Sequence, residues 1–343
     1  MSRVERGERN LITDVGGIEI GNAEDEAART GVTVLIPNAP VVAACDVRGG
    51  APGTRETDAL DPSCLVERIH GLVLSGGSVF GLDAASGVVN WLASRGLGYA
   101  LVPGAPVAPV VPSAILFDLA NGGDKSWGLE PPYRALALKA CDSRNRSFAL
   151  GNAGAGFGAL AGRYKGGLGS ASALWEGFTV GALVAVNSSG SPVLPGGGDL
   201  WAADYGIGDE LPRRIGQSAD AASLFQGTKF ELGEEAVVPG ANTTIAIIAT
   251  DAALTKSEAR RLAIMAHDGM ARALRPAHTP FDGDTVFAIA TSAQIMGERR
   301  EHRLSALGAI AADAVSRAIG RAVWEARSLG RWKSYRDQHA RRT

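Results

Sequence analysis

Two apolar runs near the end of the chain constrain its fold most. One is Ile245-Ala246-Ile247-Ile248-Ala249-Thr250 and the other is Thr285-Val286-Phe287-Ala288-Ile289-Ala290-Thr291. Both are short, uncharged and rich in β-branched residues, the pattern of a buried strand. Each starts directly behind polar residues: Asn242-Thr243-Thr244 opens the first and Asp282-Gly283-Asp284 the second. A hydroxyl therefore stands at one strand mouth and two carboxylates at another. Alternate residues at a strand end point the same way, so Asp282 and Asp284 are expected side by side.

The rest of the chain reads as α/β. Strand signals fall at 11–15, 18–20, 31–37, 41–47, 71–74 and 179–186. A helix is expected over 79–95, with Leu82, Ala85, Val89 and Leu92 near helical spacing and Gly96 as its stop. The capping box Thr255-Lys256-Ser257-Glu258 starts a second helix, which ends before Pro276. An alanine-rich helix is expected over about 303–329, followed by a basic tail. Residues 97–150 read as strand pieces and loops, and 193–238, polar and irregular, as an exposed linker. The 45 glycines in 343 residues are nearly twice the usual share of about 7%. Without a collagen period they indicate tight turns and close backbone approaches.

Several classes drop out. A net charge of -2 gives no electrostatic case for nucleic acid or an anionic membrane. No apolar run is long enough to span a membrane. The charged start does not read as a secretory signal, and none is expected. Three scattered cysteines without a CxxC pair read as reduced, in a cytoplasmic compartment. The five histidines form neither HExxH nor a zinc spacing, so no metal and no cofactor are expected. No G-x-S-x-G elbow is present, and Gly154-Ala155-Gly156-Phe157-Gly158 fails both nucleotide-loop patterns.

What remains is the threonine. Its hydroxyl is a weak nucleophile until a base removes the proton. A free α-amino group, with a pKa near 8, is partly neutral at physiological pH. If the chain were cut between Asn242 and Thr243, the new amine of Thr243 would be that base, whereas Thr244 would have none. The Thr243 hydroxyl could make the cut itself by attacking the Asn242 carbonyl, given an oxyanion donor and groups that manage protons. The same residues also make an ordinary turn-to-strand junction and an ordinary Asp-Gly-Asp turn. Local sequence leaves both readings open.

A wider set of motifs resembles the family of L-aminopeptidases/D-esterases, β-aminopeptidases and nylon-oligomer hydrolases. The motifs are Arg48-Gly49-Gly50-Ala51-Pro52-Gly53-Thr54-Arg55-Glu56-Thr57, Ser75-Gly76-Gly77-Ser78-Val79-Phe80-Gly81-Leu82-Asp83-Ala84, Ala153-Gly154-Ala155-Gly156, Gly166-Gly167-Leu168-Gly169-Ser170-Ala171, Asn242-Thr243-Thr244-Ile245 and Phe281-Asp282-Gly283-Asp284-Thr285. The Asn-Thr-Thr form is most similar to the 6-aminohexanoate-oligomer endohydrolases. The resemblance implies a single-domain, four-layer αββα fold of the N-terminal-nucleophile type. It implies self-cleavage into 1–242 and 243–343, which stay together, and assembly of these αβ units into tetramers. The substrate would be a small peptide or an amide oligomer.

The resemblance assigns Thr243 as nucleophile, Asp282 and Asp284 as its acidic partners, and Asn187 as an oxyanion donor. The family's lysine aligns with Arg163, and Lys165 follows two residues later, so either fills that role. Phe117 stands where nylon-oligomer hydrolases carry a tyrosine, which removes one hydrogen bond to substrate. Two other readings stay open: an acyltransferase of the ornithine acetyltransferase type, and a non-catalytic scaffold relative.

Overall fold

The computed structural model describes residues 3–196, 198–214, 223–233 and 241–339. Its strands, in chain order, are β1 (Glu5–Arg6), β2 (Ile18–Asp25), β3 (Thr30–Pro37), β4 (Val41–Val47), β5 (Thr54–Arg55), β6 (Arg68–Ile69), β7 (Leu72–Ser75), β8 (Ser113–Ile115), β9 (Leu160–Ala161), β10 (Tyr164–Lys165), β11 (Gly167–Trp175), β12 (Phe178–Asn187), β13 (Thr243–Ala252) and β14 (Thr285–Gln294). Its helices are α1 (Ala84–Ala93), α2 (Tyr133–Asp142), α3 (Lys256–Ala273), α4 (Arg300–Glu325) and α5 (Tyr335–His339).

Seven strands form one sheet, β1-β11-β12-β13-β14-β4-β6, and five form another, β2-β3-β7-β8-β5. Side-chain alternation sorts each strand between two layers. In β13, Ile245, Ile247 and Ala249 pack with Leu183, Phe287 and Ile289, and against Ile20, Leu35, Leu72 and Leu74 of the other sheet. Ala246 and Ile248 face the opposite way, onto Leu262 and Ala266 of α3 and Ala314 and Ala318 of α4. The smaller sheet is covered likewise: Val32, Val34 and Val73 meet Val88 and Leu92 of α1 and Leu136 and Ala140 of α2. The layers run helix, sheet, sheet, helix, as the resemblance implied.

The pairing of β13 with β14 positions the site. It is parallel, with Ile245 opposite Thr285, and α3 is the crossover. A parallel crossover brings the chain back to the same sheet edge, so both polar mouths lie together. The expected capping box starts α3: Thr255 Oγ1 accepts from Glu258 N–H at 3.3 Å, and Glu258 Oε2 accepts from Thr255 N–H at 2.8 Å.

Several expectations are corrected. Residues 11–15 form no strand but a 3-10 turn, Ile12–Asp14, because Asp14 accepts from Arg9 N–H at 3.1 Å and Ser170 Oγ accepts from Ile12 N–H at 2.7 Å. The helix expected at 79 starts as a 3-10 turn, Ser78–Asp83, and α4 lies a few residues earlier than expected. Within 97–150 lies α2, whose stripe Tyr133, Leu136, Ala137, Ala140 and Cys141 buries one face. The glycine-rich 167–175 is strand β11, and a Cβ on Gly169 would sit 1.9 Å from the Ala318 carbonyl, so glycine lets α4 close on the sheet. The linker is also corrected: Leu194 is buried, and Val193, Leu200, Ala202 and Leu211 are buried in the helix-facing core. Residues 197, 215–222 and 234–238 of that stretch lie outside the described residues. Among the described residues no helix is long and apolar enough to cross a membrane.

Candidate active site

Thr243 is the first residue of β13 and is 1% exposed. Its cross-strand partner is Asn187, the last residue of β12. On the other side a parallel bridge joins Asn242 to Asp282. The Thr243 hydroxyl donates to the main-chain carbonyl of Asn242, and the Gly283 N–H donates to the same oxygen at 2.8 Å. The peptide bond ahead of Thr243 is thus held between a hydroxyl and an amide donor. Alternation turns Thr244 to the opposite face, where its buried hydroxyl finds no partner among the described residues.

The two carboxylates grip this junction differently. Asp284 Oδ1 accepts from Thr244 N–H at 2.7 Å. Its Oδ2 accepts from His278 N–H at 3.1 Å and lies 2.8 Å from His278 Nδ1. Asp282 Oδ2 accepts from Thr279 N–H at 2.9 Å, Thr279 Oγ1 at 2.6 Å and Ser189 Oγ at 2.9 Å. Its Oδ1 accepts from Ser189 N–H at 3.2 Å. Burial, and then the neighbouring charge of Asp284, push the Asp282 carboxyl above the usual range.

Asn187 Oδ1 accepts from Leu160 N–H at 2.9 Å, which sets the amide orientation. Its Nδ2 then donates to the carbonyls of Phe117 at 3.0 Å and Ala241 at 3.3 Å. Phe117 thus reaches the site through its main chain. Lys165, fully buried, donates from Nζ to the carbonyls of Gly156 at 3.1 Å and Gly166 at 2.8 Å. Its register partner Leu160 is the residue that bonds Asn187. Burial lowers Lys165 to about 7, partly opposed by Asp118. Arg163 is not brought there: its side chain is 51% exposed and pairs with Glu231 at 3.1 Å.

Sequence reasoning missed five contributors: Gly283 N–H, Ser189, Thr279, His278 and a second buried lysine, Lys229. The first four sit beside residues that were singled out, in turn-forming stretches where polar side chains bond backbone. Lys229 carries no local signal that separates it from a solvated lysine. The early loop has a physical role as well. Arg48 and Gly49 N–H groups donate to the Asp284 carbonyl at 3.0 and 3.2 Å, and Ala51 N–H donates to that of Asp282 at 2.9 Å. The loop buttresses the backbone that carries both carboxylates.

The layered αββα fold sets a buried hydroxyl at a strand mouth. The L-aminopeptidase D-Ala-esterase/amidase of Ochrobactrum anthropi, described as a variant of the N-terminal-nucleophile hydrolase fold, superposes with a TM-score of 0.72 at 22% identity. The match covers 99% of this chain and 96% of that one. The profile of Peptidase family S58 matches residues 10–335, and the chain belongs to that family. An uncharacterized aminopeptidase of Mycobacterium bovis is 44% identical over 96% of this chain and 97% of its own. A 6-aminohexanoate-oligomer endohydrolase of Kocuria sp. is 30% identical over 83% of this chain and 76% of its own. The protein is a hydrolase acting on peptide or other amide bonds. These relatives give the acyltransferase and scaffold readings no support.

Proposed function

We propose that this chain is the precursor of an N-terminal-threonine amidohydrolase that cuts itself between Asn242 and Thr243. The observation that carries the reading is the Thr243 hydroxyl lying against the Asn242 carbonyl while Gly283 N–H donates to the same oxygen. Attack would move the acyl group from nitrogen to oxygen, with Gly283 N–H stabilising the oxyanion, and water would then release 1–242 from 243–343. The near-complete burial of Asn242 and Thr243 supports a shut site before cleavage.

In the cut enzyme the Thr243 amine takes the proton of its own hydroxyl, which attacks the substrate carbonyl and forms an acyl-enzyme that water hydrolyses. Asn187 Nδ2, held by Leu160, is released from Ala241 to serve the substrate oxyanion. Asp284 orients the start of β13, Asp282 orients the loop that presents Gly283, and Lys165 rather than Arg163 tunes the field behind Asn187. Substrates are small peptides or amide oligomers, in line with the names of the relatives. A single domain, tetrameric assembly of αβ units and a cytoplasmic location belong to the same reading. Intact-mass measurement tests it: wild type gives two chains that sum to the precursor plus water, and Thr243→Ala gives one. Equal cutting of both proteins sinks the mechanism.

A further inference from the structure

Lys229 is a buried lysine near the two site carboxylates that has no role so far. It is 6% exposed and opens a 3-10 turn, Lys229–Leu232. Its N–H donates to the Ser189 carbonyl at 2.9 Å, and its Nζ donates to the Asn187 carbonyl at 3.5 Å. Ser189 gives both its N–H and its hydroxyl to Asp282. Lys229 therefore sits across one residue from Asp282 and behind the main chain of Asn187. The turn is clamped in place. The Phe230 ring lies 5.6 Å from that of Phe225 and 6.1 Å from that of Phe281, the residue before Asp282. Glu231 accepts from Gly227 N–H at 2.9 Å and pairs with Arg163 at 3.1 Å.

A buried cation is costly to desolvate and persists where a partner offsets the cost. Two neighbouring buried carboxylates likewise resist ionising together without a cation. We propose that Lys229 is a positioning residue that supplies the counter-charge for Asp282, so that docking of the turn ahead of the cleavage point makes the site competent to cut. The inference rests on Thr243 being the nucleophile. Burial lowers the Lys229 ammonium, Asp282 attracts it and works against that fall, and the balance of the two lies at about 7. The other titratable groups around Asp282 are Asp284 on its own loop and His278 across Asp284. The turn precedes the cleavage point in the chain, so an incompletely folded precursor would hold its cut until the turn is docked.

The test follows processing of freshly synthesised wild type, K229M and K229R by intact mass across a pH series. K229M is expected to cut about tenfold more slowly along the acid limb of its profile, which moves up by about one pH unit, the equivalent of that factor. K229R, which keeps the charge, is expected to stay within about threefold of wild type with an unmoved limb. Wild-type processing in K229M, or equal slowing at every pH, overturns the proposal. If K229M does not fold, K229M/D282N decides. Recovery of a cooperative melt supports charge balance, and no recovery assigns Lys229 to packing alone and overturns it. If wild type itself stays uncut at Asn242–Thr243, the nucleophile reading fails and takes this one with it. Cutting of wild type with an indifferent K229M sinks this one only.

Discussion

Gly283→Ala tests the proposed self-cleavage by separating its geometry from the stability of the fold. The φ of Gly283 lies outside the left-handed region, so alanine fits its backbone and only space is at issue. A Cβ there would sit 2.7 Å from Thr243 Oγ1 and 2.8 Å from the Ala51 carbonyl. Ordinary contact needs about 3.5 Å. The Ala51 backbone is tied to Asp282 by its own hydrogen bond at 2.9 Å, so the hydroxyl is the group that must retreat, by most of an ångström. A misplacement of about 1 Å costs about a hundredfold in rate, or about 2.7 kcal/mol of barrier. Overpacking should cost the fold about 1–3 kcal/mol, a part of the roughly 5–15 kcal/mol that a domain holds. The variant should therefore stay folded and process about a hundredfold more slowly. A time course of intact mass, with a thermal melt as control, reads both. Wild-type processing by a folded Gly283→Ala protein would refute the placement of the hydroxyl against the Asn242 carbonyl.

Three further outcomes are expected. Arg163→Ala should leave amide hydrolysis by the cut enzyme near wild type, since an exposed ion pair is worth at most about 1 kcal/mol, whereas Lys165→Met should slow hydrolysis by about a hundredfold or more. The reverse order in a substrate assay would return the family's lysine role to Arg163. Unfolding free energy of uncut Thr243→Ala should rise between pH 7 and about 8.5. Lys165 and Lys229 titrate near 7 when folded and near 10.5 when unfolded, so the unfolded chain binds more protons in that window. The slope for each lysine is half of about 1.4 kcal/mol per pH unit at pH 7 and approaches that value by pH 8.5, and a flat urea-midpoint series would contradict their burial as ammonium-disfavouring sites. Ile247→Ala, in the layer between the sheets, should cost about 2–5 kcal/mol by urea unfolding, and a loss below about 1 kcal/mol would count against that layer.

The site was legible where its parts are local. Thr243, Asp282 and Asp284 stand beside uncharged strand runs, so their polarity at a strand mouth shows in the sequence. The Thr255–Glu258 capping box shows for the same reason, because its bonds span three residues. Helix α2 was missed although its stripe from Tyr133 to Cys141 was readable, and β11 was hidden because its glycines mask a strand pattern. Those glycines answer to α4, more than a hundred residues away in sequence, and no local rule reports such a contact.

By itself the sequence determined the two strands, their polar mouths and a fold class rich in close backbone approaches, because burial and backbone preference act between near neighbours. Tertiary structure alone decided which mouths meet. The parallel return through α3 sets Asp282 beside Asn242, antiparallel pairing sets Asn187 opposite Thr243, and packing drops Lys165 and Lys229 out of water while leaving Arg163 in it. The chemistry depends on distances between segments, and those exist only once the layers have closed.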